Sequence, residues 1–307
     1  MKVLVPTLSM LIGALALGCA YDTTSPEDDG EHLGVVSQAL NGWWFGSWGQ
    51  TVQGASLDTG MPVDTSTCFL SGVAGHLGQG GLWRPWDVRS RVGVGGASGG
   101  TWSLFAHGGA HQNMTNDGRN WFGNPVLGHV TCVGYPRYVP PSALSGSWTG
   151  GAPKKIAELA INFPPAPTIN RRCYLSEITG GDGLFQHSSD FVRVVRVTTI
   201  DGQHPSTGWY IEGSVQNHPF FGGTARASAT CVNYPALSAE WSHGLGPGTF
   251  TLTQGTAIKG CGLTRIEGAF NANDWNNGVR IMAPSTINGQ WTVTVSPGKA
   301  VTTHCAQ

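Results

Sequence analysis

The 307-residue chain carries a formal net charge of −1, and only 11% of it is charged, against roughly 25% in an average soluble protein. So small a charge removes the electrostatic case for nucleic acid or an anionic membrane surface as partner. The 46 glycines and 12 tryptophans, within a chain that is 40% hydrophobic, favour turn-rich β structure over helix.

Residues 1–19 read as an export signal. Met1-Lys2 is a short basic start, and Val3 to Leu17 is apolar apart from Thr7 and Ser9; such a run is too short to span a bilayer comfortably. Its end, Leu15-Ala16-Leu17-Gly18-Cys19, resembles a bacterial lipoprotein signal, although Ala16 stands where that pattern prefers a branched apolar residue. The resemblance implies lipidation of Cys19 and a lipid anchor to the membrane. Ala20 in place of aspartate implies the outer membrane. Cleavage after Ala16 or Ala20, with secretion to the exterior, is the alternative. Cys19 is also the odd cysteine of seven, a liability in an oxidising compartment unless it is modified or removed.

Residues 20–38 read as an acidic flexible tether. They hold Asp22, Glu27, Asp28, Asp29 and Glu31 and no Lys or Arg, a composition that does not build a core. Gly34 to Leu40 resembles the segment that precedes the mature body in many exported proteins of myxobacteria.

Thereafter the chain repeats itself three times. Cys68-Phe-Leu-Ser-Gly-Val-Ala-Gly75, Cys173-Tyr-Leu-Ser-Glu-Ile-Thr-Gly180 and Cys261-Gly-Leu-Thr-Arg-Ile-Glu-Gly268 share the pattern C-x-L-(S/T)-x-(V/I)-x-G. Upstream of each stands A-L-x-x-x-W, ending in Trp44, Trp148 and Trp241. Downstream come Val88-Arg89, Val192-Arg193 and Val279-Arg280, then Trp102, Trp209 and Trp291, then a closing Cys132, Cys231 or Cys305. The shared landmark order defines β repeats over 39–142, 143–235 and 236–307.

Each landmark reads as a strand. Phe191 to Val197 is β-branched and near-alternating. Ile156 to Ile161 has some helical character, but its counterpart Thr249 to Thr253 is plainly strand. Asp201-Gly202 and Asn288-Gly289 are hairpin-turn dipeptides. The expectation is an all-β fold of three antiparallel repeat units, each of about five to six short strands, packed as a pseudo-threefold body or as a string. One disulfide per unit follows from one cysteine pair per copy: Cys68–Cys132, Cys173–Cys231 and Cys261–Cys305.

No catalytic motif emerges. Gly96-Ala97-Ser98-Gly99-Gly100 matches the nucleophile-elbow pattern, but lies where the other copies place a hairpin turn, without a following helix. His107 and His111 have helical metal-ligand spacing, yet Gly108-Gly109 lies between them. The carboxylates Glu158, Glu177, Asp182, Asp190, Glu212 and Glu240 lack spacing that would mark an acid–base pair. No metal or cofactor is expected.

The tryptophans divide in two. Trp44, Trp148, Trp241, Trp102, Trp209 and Trp291 hold repeat-equivalent places and read as core. Trp43, Trp48, Trp83, Trp86, Trp121 and Trp275 do not repeat. Trp83, Arg84 and Trp86, with Asp274, Trp275, Asn276 and Asn277, fall in one variable loop position. Flat rings beside amides suit a sugar, which stacks on the ring and hydrogen-bonds the amides; the same rings could instead plug gaps between repeats. The expectation is a cell-surface or secreted, non-catalytic, carbohydrate-binding protein of lectin-like kind, with an extracellular glycan as partner. A structural envelope or matrix protein, or an extracellular hydrolase, is the alternative.

Overall fold

The structure, a computed structural model, describes residues 33–40, 43–50, 55–77, 91–96, 100–107, 110–113, 120–123, 126–134, 145–161, 169–180, 185, 187–214, 226–234, 240–252, 260–270, 277–282 and 290–306. Within them the regular structure is β-strand.

In the first copy the strands are β1 (Leu33–Leu40), β2 (Trp43–Gln50), β3 (Ala55–Pro62), β4 (Ser66–Gly75), β5 (Arg91–Gly96), β6 (Thr101–His107), β7 (Ala110–Asn113), β8 (Asn120–Gly123) and β9 (Val126–Gly134). The second copy holds β10 (Ser145–Trp148), β11 (Lys154–Ala157), β12 (Ala160–Ile161), β13 (Ile169–Thr179), β14 (Phe191–Val197), β15 (Gly208–Ser214) and β16 (Arg226–Tyr234). The third holds β17 (Glu240–Leu245), β18 (Gly248–Leu252), β19 (Gly260–Gly268), β20 (Gly278–Met282), β21 (Trp291–Val295) and β22 (Lys299–Ala306). Ile156 to Ile161 is therefore not helical: β11 ends at Ala157, the chain bends at Leu159, and Ala160-Ile161 continues as β12 in another sheet. β1 takes in residues 33–38, which composition assigns to the tether. The acidic cluster ends at Glu31, and Val36 to Leu40 pair along β2 as an edge strand.

Among the described residues three large sheets form, and each of them is shared by two copies. The first runs β1-β2-β9-β4-β20-β21-β18, the second β10-β16-β13-β5-β6-β3 with β12 on β13, and the third β11-β15-β14-β19-β22-β17. In every sheet the first-cysteine strand of one copy lies beside the Val-Arg-position strand of another: β4 beside β20, β13 beside β5, and β19 beside β14. The exchange runs from copy to copy and back to the start, so the three copies close into a pseudo-threefold body. The three first-cysteine strands also pack on one another. The hairpin β7-β8 is an addition of the first copy.

The shared motif has a geometric basis. In C-x-L-(S/T)-x-(V/I) the apolar residues fall at spacings of two and then three, whereas a regular strand repeats every two. The ladder shifts by one residue between Leu70 and Gly72, between Leu175 and Glu177, and between Leu263 and Arg265. Ser71, Ser176 and Thr264 are thus the extra residues of three equivalent β-bulges. The insertion restores one face to Cys68, Leu70 and Val73, opposite Cys132, Val130 and Gly128. The final glycine is also required. Gly75 and Gly268 have φ of 89° and 118°, and a Cβ on Gly180 would lie 1.7 Å from the Leu77 carbonyl oxygen.

Each cysteine pair joins directly opposed residues of neighbouring strands: Cys68–Cys132, Cys173–Cys231 and Cys261–Cys305. Residues of all three copies feed the largest apolar cluster, among them Leu70, Leu175, Ile178, Trp148, Trp209, Leu263, Ile266 and Trp291. Trp102 is only half-buried. It packs on the rim of a smaller cluster holding Cys68, Leu104 and Cys132 and donates its indole N–H to Ser66 O at 3.1 Å.

One repeat equivalence changes. Ile178 and Ile266 oppose Val92 and Val192, and Val73 opposes Val279. The first-copy counterpart of Val192-Arg193 and Val279-Arg280 is therefore Val92-Gly93, four residues beyond Val88-Arg89. The arginine position is glycine there because Phe105 fills it: a Cβ on Gly93 would stand 2.7 Å from that ring.

Candidate functional site

β14 and β19 are paired only through Phe191–Glu267, Val192–Ile266 and Arg193–Arg265. Beyond Arg193 the two strands part. A cleft of about 360 Å³ opens there, lined by Arg172 of β13; Arg193, Val194, Val195 and Arg196 of β14; Trp209 of β15; Ser242 of β17; Thr264 and Arg265 of β19; and Thr302 and His304 of β22. It lies in the third sheet, with Arg172 reaching it from the second. Four of the chain's 17 basic residues line it, and no carboxylate does.

The local sequence sets this arrangement. The bulge at Thr264 brings Arg265 directly opposite Arg193 on one side and Thr302 on the other. The Thr264 hydroxyl donates to Thr302 O at 3.1 Å. Phe191, two residues before Arg193, lies under both guanidinium groups, at 5.4 Å from Arg193 and 4.9 Å from Arg265. Each arginine has a carboxylate behind it: Arg193 Nε donates to Glu212 Oε1 at 2.5 Å, and Arg265 pairs with Glu267. Trp209 stands opposite Arg196, and the Arg172 guanidinium lies 6.0 Å from its ring. Trp209 is buried, and its indole Nε1 finds no hydrogen-bond partner; neither does the buried Nε of Arg265.

A chain of ionisable groups runs from Arg193 to the hairpin turn between β14 and β15. Glu212 accepts from His204 Nε2 at 3.0 Å through its second oxygen. His204 Nδ1 meets Asp201 Oδ1 at 2.9 Å. Asp201 also caps the turn, accepting from the Gln203 and His204 backbone N–H groups, each at 2.8 Å. Carboxylates on both ring nitrogens require both to be donors, hence the imidazolium form. The hydrogen bond to Asp201 foremost, and that to Glu212, raise the His204 pKa above 6.5 against the opposing effect of burial.

The other two sheets place different side chains at the matching positions. In the second sheet Gly93 opposes Glu177, which pairs with Arg91 at 2.8 Å. In the first, Arg280 opposes Gly72, and His129 packs beside that glycine. Burial and the charge of Arg280 lower the His129 pKa to about 3.

Comparison with family models, with curated proteins and with solved structures finds no match to this chain. Its function is therefore argued from its own side chains.

Of the residues expected to contact ligand, Asn277 is described. Its side-chain oxygen accepts from the buried Lys299 ammonium, and its carbonyl accepts from Gly75 N at 3.0 Å, so it ties the third copy to the first. Trp83, Arg84, Trp86, Asp274, Trp275 and Asn276 lie outside the described residues, as do Cys19, Arg89, Asp182, Asn288-Gly289 and Ala97-Ser98-Gly99. Among the considered carboxylates, Glu158 pairs with Lys155 at 2.7 Å and Asp190 accepts from His187 N at 2.9 Å.

Sequence reasoning reached Arg193 as a repeated arginine and Trp209 as core, but missed Arg172, Arg196 and Arg265. The available signal was scarcity: in a chain only 11% charged, arginines at a variable motif position stand out.

Proposed function

We propose that this is an exported, non-catalytic, carbohydrate-binding protein, held to the outer membrane through Cys19, and that its described ligand site is the cleft where β14 and β19 part. The observation that carries the reading is the lining itself. Four arginines, the buried indole of Trp209 and the hydroxyl-bearing Ser242, Thr264 and Thr302 line the cleft together with Val194 and Val195. Concave sites with a few convergent polar groups over apolar walls are where small ligands bind, and a polyhydroxylated ring matches a lining rich in donors. The three disulfides support an oxidising compartment outside the cytoplasm. Trp83, Trp86 and Trp275 of the variable loops are proposed as further rings for sugar stacking.

A glycan-array screen of the mature chain tests the reading. Specific retention of a saccharide class supports it. Replacing Trp83 and Trp86 together with Ala should then weaken binding by about tenfold or more with the fold intact. A uniformly blank array would leave the structural envelope role as the better account.

A further inference from the structure

Resting on that reading, we infer that the cleft takes the acidic group of a saccharide, a carboxylate or a sulfate, between Arg193 and Arg265. The two residues stand directly opposite on neighbouring antiparallel strands, where like charges destabilise a sheet. The fold does not require this pair. At the matching positions the second sheet has Gly93 against Glu177, and the first has Arg280 against Gly72. Only the third of the described sheets brings two guanidinium groups together, and it does so at the mouth of a cleft. A local conflict that the rest of the fold avoids is the mark of a functional position.

The remaining valences point the same way. Glu212 and Glu267 sit on their own arginines and leave the cleft lining without a carboxylate. Among the groups of this pair, the buried Arg265 Nε has no acceptor. It only donates, so it is completed by an acceptor oxygen. An unfilled buried donor is costly, and an ionised acceptor forms the stronger bond. Arg172 and Arg196 flank the pair. A cleft of about 360 Å³ lies at the small end of ligand sites, roughly 300–1,000 Å³, which suits a short stretch of a sugar chain. Ser242 and Thr302 are at hand for ring hydroxyls. A free inorganic anion presents the same oxygens, so source as well as chemistry must be tested.

Titration calorimetry on the mature full-length chain decides it. The probes are hyaluronate oligosaccharides (carboxylate), sulfated heparin oligosaccharides, a neutral dextran oligosaccharide, sodium sulfate and a single-stranded oligonucleotide. The expected result is binding of at least one acidic oligosaccharide that weakens as NaCl is raised. Arg265→Gln and, separately, the exposed Arg196→Ala should each lower that affinity by about tenfold. Arg91→Gln, in the second sheet, should leave it unchanged. If Arg265→Gln does not fold, as judged by its far-ultraviolet circular dichroism, Arg196→Ala decides alone. Neutral dextran bound equally well, with both cleft variants unaffected, would overturn the anion site and leave the carbohydrate reading standing. Sulfate bound at this site without any oligosaccharide would sink the carbohydrate reading and keep an anion site of another kind. Tighter binding of the oligonucleotide than of either acidic sugar would overturn the inference in favour of phosphate.

Discussion

The Tyr174 ring lies stacked on the Phe69 ring, with centroids 4.2 Å apart and planes at 16°. Each occupies the x of C-x-L in its own copy. In the third copy that position is Gly262, where a Cβ would meet Tyr174 Cδ1 at 2.5 Å and Phe69 Cδ2 at 2.6 Å. Two rings fill the place where the three copies converge, and the third copy must leave it empty. Gly262→Ala should therefore destabilise the protein by about 1–3 kcal/mol, as overpacking does. Combining it with Phe69→Ala should recover part of that loss if the shortage of space is the cause. Urea denaturation of the three variants checks the expectation; an unaltered midpoint for Gly262→Ala would refute it.

The histidines give stability two opposing pH dependences. His204 is held above 6.5 by Asp201 and Glu212. Its stabilising contribution is therefore complete below 6.5, the unfolded value, and is lost as pH rises through the folded value. His129, lowered to about 3 by burial and Arg280, acts in the other sense. The unfolded chain takes up a proton at His129 below 6.5 that the folded chain refuses until about 3, so stability falls on acidification across that window. His204→Gln should flatten the decline on the alkaline side, and His129→Gln the decline on the acid side. Denaturation midpoints from pH 4 to pH 9 separate the two.

Removing one bridge should cost most of what loop closure predicts. Cys173 and Cys231 are 58 residues apart, a loop whose cross-link is worth about 4 kcal/mol in the chain-entropy model. The double Cys173→Ala, Cys231→Ala variant should lose roughly 2–4 kcal/mol and remain folded through the other two bridges. A loss well under 1 kcal/mol, against that scale, would mean that the ladder between β13 and β16 already constrains the unfolded ensemble.

The proposed lipid anchor at Cys19 can be tested directly. Lipidation predicts a membrane-fraction protein whose intact mass carries acyl chains on Cys19, and Cys19→Ala should move it to the soluble fraction. An unmodified chain beginning at Leu17 or Tyr21 would show secretion instead.

What could be read from the sequence was whatever each copy states locally. The cysteine pairs and the strand character of the landmarks belong to contiguous stretches of chain, whereas Asp201-Gly202, read as a tight hairpin dipeptide, lies inside the longer connection from Val197 to Gly208, and Gly202 does not take up positive φ. The exchange of strands was not legible, because β14 offers the same Val-Arg pattern whether it pairs within its own copy or with β19. Nor was the role of the motif's Ser/Thr: an extra residue in a bulge looks, in one dimension, like imperfect alternation. The shift from Val88-Arg89 to Val92-Gly93 has no local signal, because Phe105, distant in sequence, substitutes for the side chain that glycine lacks. The cleft is not legible either, since Arg193 and Arg265 meet only when two copies share a sheet, and Arg172 reaches them from another sheet.

The cyclic sharing of strands has a consequence for how such a chain could be assembled from parts. Each copy contributes to two of the large sheets. Its share of one ends on its first-cysteine strand, such as β4, whose outer edge is satisfied by the Val-Arg-position strand of another copy, here β20. Its share of the other ends on its own Val-Arg-position strand, such as β5. Nothing in that hydrogen-bonding scheme depends on the copies being joined end to end. Three separate one-copy polypeptides could make the same ladders, each lending a strand to the next around a ring, so the chain has the connectivity of a strand-swapped homotrimer fused into one molecule. What the fusion adds is independence of the copies' sequences: once the subunits are covalently ordered, one interface out of three is free to carry a facing pair of arginines where the other two set arginine or glutamate against glycine.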